Sequence, residues 1–269
     1  MSRIAARFAA LKLEGRGALI PFIEAWDPDG ETSMALLRGL PEAGADLIEI
    51  GVPFTDPMAD GPIVQAAGKR ALAAGVTVSH VLDMVRQFRR DDDATPIVLM
   101  GYLNPVLSYG VTRFCADAAA AGVDGLIMVD LPTEEADMLV PHATAHGIDI
   151  IRLVAPTTHD ERLPLVLRGS SGFVYYVSIT GITGTRSTTA EHLAEAIPRI
   201  RRVTTLPIAV GFGVRSPTQA AEAARVADAA VVGSAICTTI AANVGSTNLV
   251  RSVLDQVREL AEGVRGARR

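Results

Sequence analysis

The sequence predicts an α/β fold, a single (β/α)8 TIM barrel, from three observations. Short apolar strands alternate with helical segments along the whole chain, the pattern of repeated βαβ units around a parallel sheet. Eight such units can be read, the number that closes a barrel. The length of 269 residues suits a barrel of ~250, and no linker or composition break divides it, so residues 1–269 read as one domain. A doubly wound open sheet is the structural alternative, and it accommodates eight evenly spaced units poorly.

The chain opens with an extra helix before the first strand. Ile4, Phe8 and Leu11 share one helical face, while Arg3, Arg7 and Lys12 interrupt the apolar residues, unlike a signal peptide. Strands are expected at Ala18–Ile23, Leu47–Val52, Ile97–Met100, Gly125–Val129, Ile150–Val154, Phe173–Ser178, Pro207–Val210 and Ala229–Val232. Single helices are expected near 32–43, 111–121, 134–146, 161–167, 190–201 and 217–226. Extra helices follow strand two (63–74, then 79–90) and strand eight (235–242, then 247–262). Gly44, Gly122 and Gly147 each stand where a helix must stop before the next strand, because glycine enters the left-handed region at little cost.

Hydrophobic residues make up 49% of the chain, enough for a large core. No apolar run reaches the ~18 residues a membrane span needs. The net charge of -5, with no basic stripe, argues against nucleic acid. Two cysteines, Cys115 and Cys237, both in helical contexts, form no disulfide framework and read as buried thiols in a reducing, cytoplasmic compartment.

Chemistry in such barrels sits at the C-terminal ends of the strands. The stretch from Asp46 to Gln65 is the most informative of these ends. Leu47, Glu49 and Gly51 fall on one strand face, so Glu49 is expected to point into the barrel near its mouth. A carboxylate there is costly to bury without a partner, and no arginine lies at the expected mouths of strands one or three. A desolvated glutamate has a raised pKa and can act first as acid and then as base. Asp60 follows in the loop; by itself it could be a turn residue, and for Asp56 and Asp130 the turn reading is the better one. Asp27, before Pro28, is most simply a turn or helix-start residue.

Gly211-Phe212-Gly213 after strand seven, Gly233-Ser234 after strand eight, and Gly181 to Gly184 after strand six offer backbone N–H groups in adjacent loops. Together they favour a phosphate over glycines that merely turn the chain. The only lysines, Lys12 and Lys69, lie in helical segments, which disfavours Schiff-base chemistry. His142 and His146 lack the glutamate of a zinc-protease helix and read as a solvated face, and no metal site assembles. Phe22, Trp26, Tyr102, Tyr175 and Phe212 gather at strand mouths and, with Met100, Ile127 and Leu153, could line a flat apolar pocket or simply pack the core. The residues thus point to a barrel enzyme acting by carboxylates on a phosphorylated substrate with an apolar portion.

The run from Glu49 to Gln65 closely resembles the signature of the tryptophan synthase alpha chains. Ala18–Phe22, Met100–Pro105, Val129–Pro132, Ser178–Gly184 and Gly211–Gly213 are similar to family segments in family order. The resemblance implies retro-aldol cleavage of indole-3-glycerol phosphate to indole and glyceraldehyde 3-phosphate. It implies Glu49 as the acid/base, Asp60 as the group facing the indole nitrogen, and Tyr175 as a residue positioning both Glu49 and substrate. Phe22, Met100, Ile127 and Phe212 would bind the ring. Thr183 would meet Asp60, and Gly184, Gly213, Gly233 and Ser234 would hold the phosphate. It further implies no cofactor in this chain and a beta-chain partner, in an alpha2beta2 complex, that carries pyridoxal phosphate. Asp56, Pro57, Asn104 and Pro132 resemble contact loops for that partner. The alternative is a non-catalytic phosphate-binding subunit that regulates a beta chain. One segment departs from the family: Glu24-Ala25-Trp26-Asp27-Pro28 stands where a Thr-Ala-Gly-Asp-Pro-like run is usual. That leaves open whether Trp26 reshapes the pocket or faces outward.

Overall fold

The strands are β1 (Ala18–Glu24), β2 (Ile48–Gly51), β3 (Ile97–Gly101), β4 (Gly125–Met128), β5 (Asp149–Ile150), β6 (Arg152–Val154), β7 (Val174–Val177), β8 (Ile208–Gly211) and β9 (Ala229–Val232). In the computed structural model, which describes residues 2–177, 190–211 and 213–268, all of them pair in parallel, in the order β5-β4-β3-β2-β1-β9-β8-β7-β6. Ile151 alone separates β5 from β6, so the two are halves of one strand and the ring closes through the chain itself. Its backbone N–H still donates to Leu126 at 3.0 Å. Thr183, Gly184 and Phe212 lie outside the described residues.

Strand alternation sorts the core into two shells. Leu47, Val98, Ile127, Ile151, Tyr175 and Ala209 point inward. Ile48, Ile50, Leu99, Leu126, Val174 and Val210 point outward, beneath the helices. The N-terminal helix Arg3–Leu13 presents Ile4, Phe8 and Leu11 to the inner shell, with Phe8 and Phe173 rings 5.9 Å apart. Burial of each such side chain contributes ~1.5–3 kcal/mol, so this helix plugs the N-terminal end of the barrel.

The same end carries a girdle of acids beside the strand starts. Asp46 binds Arg16 at 2.9 Å, pairs also with Arg7, and accepts from the Leu19 N–H. Asp124 joins Arg3 and Arg89 and accepts from the Ile97 N–H. Asp228 joins Arg201 and the Ile208 N–H. These pairs lie opposite the C-terminal mouth of the barrel and fasten strand starts to the N-terminal helix, the turn after it and the ends of outer helices.

Two helices follow β2 (Pro62–Ala73, Val78–Phe88) and two follow β9 (Ser234–Ala242, Leu249–Gly266), as the sequence predicts. Three details differ. Leu103–Tyr109 is a short helix after β3 that the sequence does not announce. The helix expected near 134–146 divides into a 3-10 turn, Thr133–Met138, and a helix, Val140–Ala145, because Pro141 can begin a helix but not continue one. Asp27 does not start a helix: Asp29 does, accepting from the Thr32 N–H at 2.8 Å, while Asp27 is buried in a bidentate ion pair with Arg70 at 2.7 and 2.8 Å.

Candidate active site

The inner face of the barrel at its C-terminal mouth is built by register. Phe22 on β1 stands beside Glu49 on β2, and Glu24 stands beside Gly51 one layer higher. Gly51 beside Met100 and Met100 beside Ile127 extend the same wall through β3 and β4. A side chain at Gly51 has no room: its Cβ would overlap the Glu24 carboxyl and lie 2.7 Å from the Phe22 ring. Trp26 takes no part in this wall. It stacks on His80 with ring centroids 4.6 Å apart and packs against the outer shell, so the bulk of Trp26 faces away from the pocket.

Glu49 is 1% exposed, and its Oε2 has no hydrogen-bond partner. Burial, reinforced by the charge of Asp60, pushes its carboxyl up to about 8. Burial also raises Asp60, to about 6, against the pull of a hydrogen bond from the Tyr102 hydroxyl. Two carboxyls in one mouth are thus separated, one a proton donor and the other an anion at neutral pH.

The loop that carries Asp60 is tied down at several points. The Ala59 N–H donates to the Tyr102 hydroxyl at 2.9 Å, and the Gln65 amide donates to the Asp60 carbonyl at 2.9 Å. The Asp60 N–H donates to Pro57, and the Phe54 ring lies 5.3 Å from Tyr102. A small cavity beneath the loop is lined by Glu24, Asp60, Met100, Tyr102, Gln65 and Val129, among others. Tyr102 is therefore a site residue that the sequence shows only as one mouth aromatic among several.

Tyr175 on β7 is buried among the inner residues, and burial next to the Glu49 charge raises its hydroxyl well above the ordinary value. It crosses the position of the missing Gly211 side chain, whose Cβ would lie 2.6 Å from the ring Cε1. Gly213 has φ 87°, open to glycine and strained for other residues, and follows β8. Gly233 caps the helix Ser234–Ala242 after β9. β8 and β9 are neighbours, so Gly213, Gly233 and Ser234 share one stretch of rim. The N–H groups at the start of the helix Ser234–Ala242 suit an anion. Among the described residues no cluster of His, Cys, Asp or Glu could hold a metal.

Asp56, Asn104 and Pro132 are exposed and Pro57 is half-buried; Asp56, Pro57 and Pro132 lie on loops at the C-terminal end, and Asn104 lies in the short helix Leu103–Tyr109 that follows β3. Met58, 77% exposed, and Leu107, 43% exposed, add apolar surface beside them. Asp130 ties two of these loops together by accepting from the Leu103 N–H at 2.8 Å, a structural role consistent with its reading as a turn residue.

The sequence profile of the family "Tryptophan synthase alpha chain" matches residues 8–265. The chain is 68% identical over 272 residues to the tryptophan synthase alpha chain of Granulibacter bethesdensis, covering 100% of this chain and 98% of that one. It is 65% identical to that of Acidiphilium cryptum, covering 100% and 99%. Among solved structures, the alpha subunit of Legionella pneumophila superposes with a TM-score of 0.91 at 37% identity, covering 98% of each chain. A chain of Mycobacterium tuberculosis tryptophan synthase superposes with a TM-score of 0.89 at 39% identity, also covering 98% of each.

Proposed function

The chain belongs to the tryptophan synthase alpha chain family, lyases that cleave indole-3-glycerol phosphate in tryptophan biosynthesis, and we propose that Glu49 and Asp60 carry that cleavage here. The observation behind this reading is the buried Glu49 carboxyl, its Oε2 without a hydrogen-bond partner and its pKa raised to about 8, in one mouth with an Asp60 raised to about 6.

The protonated Glu49 gives its proton to the ring carbon that bears the glycerol chain. The ring electrons that take the proton leave positive charge at the indole nitrogen, which the ionised Asp60 faces. Glu49, now a carboxylate, accepts the proton of the hydroxyl on the adjacent chain carbon. That carbon becomes a carbonyl, the carbon–carbon bond breaks, and its electron pair returns to the ring. Indole and glyceraldehyde 3-phosphate leave, and Glu49 ends protonated as it began. Tyr175 positions Glu49 and substrate. Phe22, Met100, Ile127 and Phe212 hold the ring, and Gly184, Gly213, Gly233 and Ser234 hold the phosphate. By the same resemblance, the part of Thr183 would be a hydrogen bond to Asp60.

Alpha chains of this family have no cofactor of their own and partner a beta chain. The finer picture is an alpha2beta2 assembly in the cytoplasm, with pyridoxal phosphate in the beta chain. The loops with Asp56, Pro57 and Pro132, the short helix with Asn104, and the exposed apolar Met58 and Leu107 fit a partner surface.

The test is indole release from indole-3-glycerol phosphate, with and without a beta chain, by the wild type and by Glu49→Gln. Wild-type release that the beta chain enhances, with no turnover but retained substrate binding in Glu49→Gln, is the expected result. No release by the wild type under either condition would leave only a phosphate-binding regulatory subunit. Substantial turnover by Glu49→Gln would remove Glu49 from its role.

A further inference from the structure

Glu24 is a buried acid that the mechanism above does not use. It is the last residue of β1, 5% exposed, on the inner face one layer above Phe22 and Glu49. Its carboxyl lies in a notch left by two glycines. A Cβ on Gly51 would overlap its Oε2, and a Cβ on Gly68, in the helix Pro62–Ala73, would touch its Oε1 at 3.5 Å. Space is therefore kept for this carboxyl by residues flanking the catalytic loop on both sides. Its side chain makes no hydrogen bond to any described residue. A carboxyl so buried costs free energy unless it remains neutral and its proton finds an acceptor.

The groups facing Glu24 come from every element around it. Asp60 shares its cavity from the loop after β2, together with the Tyr102 hydroxyl. The charges of Asp60 and Asp27 add to burial in raising the Glu24 carboxyl well above the ordinary range. Asp27 already has its partner in Arg70. Cys237, from the helix after β9, is a buried thiol that the charge of Glu24 pushes further up, so it supplies no cation. Among the described residues that line this cavity, Asp60 is the anionic acceptor with no cation paired to it, and the cavity has room for about one water molecule.

We propose that Glu24 is a positioning residue for Asp60. Across their shared cavity its carboxyl donates a hydrogen bond, through a bridging water, to the Asp60 carboxylate, and keeps that acid turned toward the reacting ring. This rests on the reading of Asp60 as the group that faces the ring nitrogen. With Tyr102 donating from one side and Glu24 from the other, Asp60 stays ionised in a buried place without a cation beside it.

The test follows the Asp60 carboxyl directly, by 13C NMR titration of the full chain labelled at aspartate, with the resonance assigned by its loss in Asp60→Asn. Glu24→Met, of similar length but with no donor, should raise the Asp60 midpoint by roughly half to one pH unit. Glu24→Gln, which keeps a donor, should leave it within about 0.3 of the wild type and so rescue the effect. A residue that merely fills space would give the same midpoint in all three proteins, or the same shift in both variants. Either result overturns the proposal, and Glu24→Gln keeps the comparison open if Glu24→Met does not fold. Wild-type indole release, measured on the same samples, judges the cleavage reaction separately. An active wild type with unmoved midpoints sinks only the role of Glu24. An inactive wild type sinks the cleavage reading, whatever the midpoints do.

Discussion

Replacing Glu49 by glutamine should stabilise the protein while it abolishes turnover, and the gain should depend on pH. The carboxyl has an ordinary pKa of 4.5 and is raised to about 8 in the barrel, chiefly by burial. The folded chain therefore holds this proton longer than the unfolded chain does. As pH rises from 4.5, the unfolded chain ionises first and gains relative stability, and the loss to the folded state continues until about 8. At ~1.4 kcal/mol per pKa unit, Glu49 costs the fold ~3 kcal/mol near pH 7 and approaches ~5 kcal/mol above pH 8. Glutamine cannot ionise and escapes this cost, while any penalty for its unpaired amide is the same at every pH. Thermal melts of both proteins near pH 5 and pH 8 isolate the ionisation part. The difference between them should grow by ~3–4 kcal/mol, on the order of 10 °C in Tm for a chain of this size. A difference that stays constant across this range would show that Glu49 ionises normally in the fold, and the reasoning about its proton-donor role would fail with it.

Tyr102→Phe removes a hydrogen bond that holds Asp60 down. The Asp60 midpoint should rise from about 6 in the NMR titration, and a fall would contradict the assigned direction. Gly211→Ala drives a methyl group into the Tyr175 ring. It should cost ~1–3 kcal/mol of stability by overpacking and lower kcat, measured by melts and indole release, whereas an unchanged kcat would show that Tyr175 need not stay where it is. Asp46→Ala leaves the Arg7 and Arg16 guanidinium groups and the Leu19 N–H without their shared acceptor. It should cost about 3 kcal/mol in denaturant melts and leave kcat unchanged, because this acid lies at the N-terminal end of the barrel.

Glu49 is legible in the sequence because strand alternation has a fixed period. Once Leu47 and Gly51 share its face, its inward direction follows from geometry alone. The glycine-bearing loops are legible because the barrel dictates which strand ends face the substrate. Partnerships across the fold are not. Asp27 reads as a turn because Pro28 follows it, and Arg70, its partner, lies 43 residues away on a helix packed against β1. Tyr102 reads as one aromatic among several until the loop after β2 folds back and places Ala59 and Asp60 against its hydroxyl. Trp26 could face either way on sequence evidence, and the stack with His80, 54 positions on, decides it. The helix Leu103–Tyr109 is only seven residues long and contains Asn104-Pro105, which reads as a turn. The acid girdle shows the converse: Asp46, Asp124 and Asp228 each stand just before a strand, and only the structure supplies the arginines.

The central claim is that a proton held by Glu49 is delivered to the ring while Asp60 stays ionised, and the pH dependence of kcat/KM for indole release tests it most directly. The alkaline limb is diagnostic, because a substrate phosphate monoester itself titrates near pH 6 and shares the acid limb with Asp60. Activity should fall as pH rises through about 8, the value to which Glu49 is raised. In Asp60→Asn, whatever rate remains should show that limb at lower pH, because the charge of Asp60 helps to hold Glu49 up. A wild-type rate that stays level or climbs well beyond pH 8 would contradict the account, since Glu49 would then have no proton left to give.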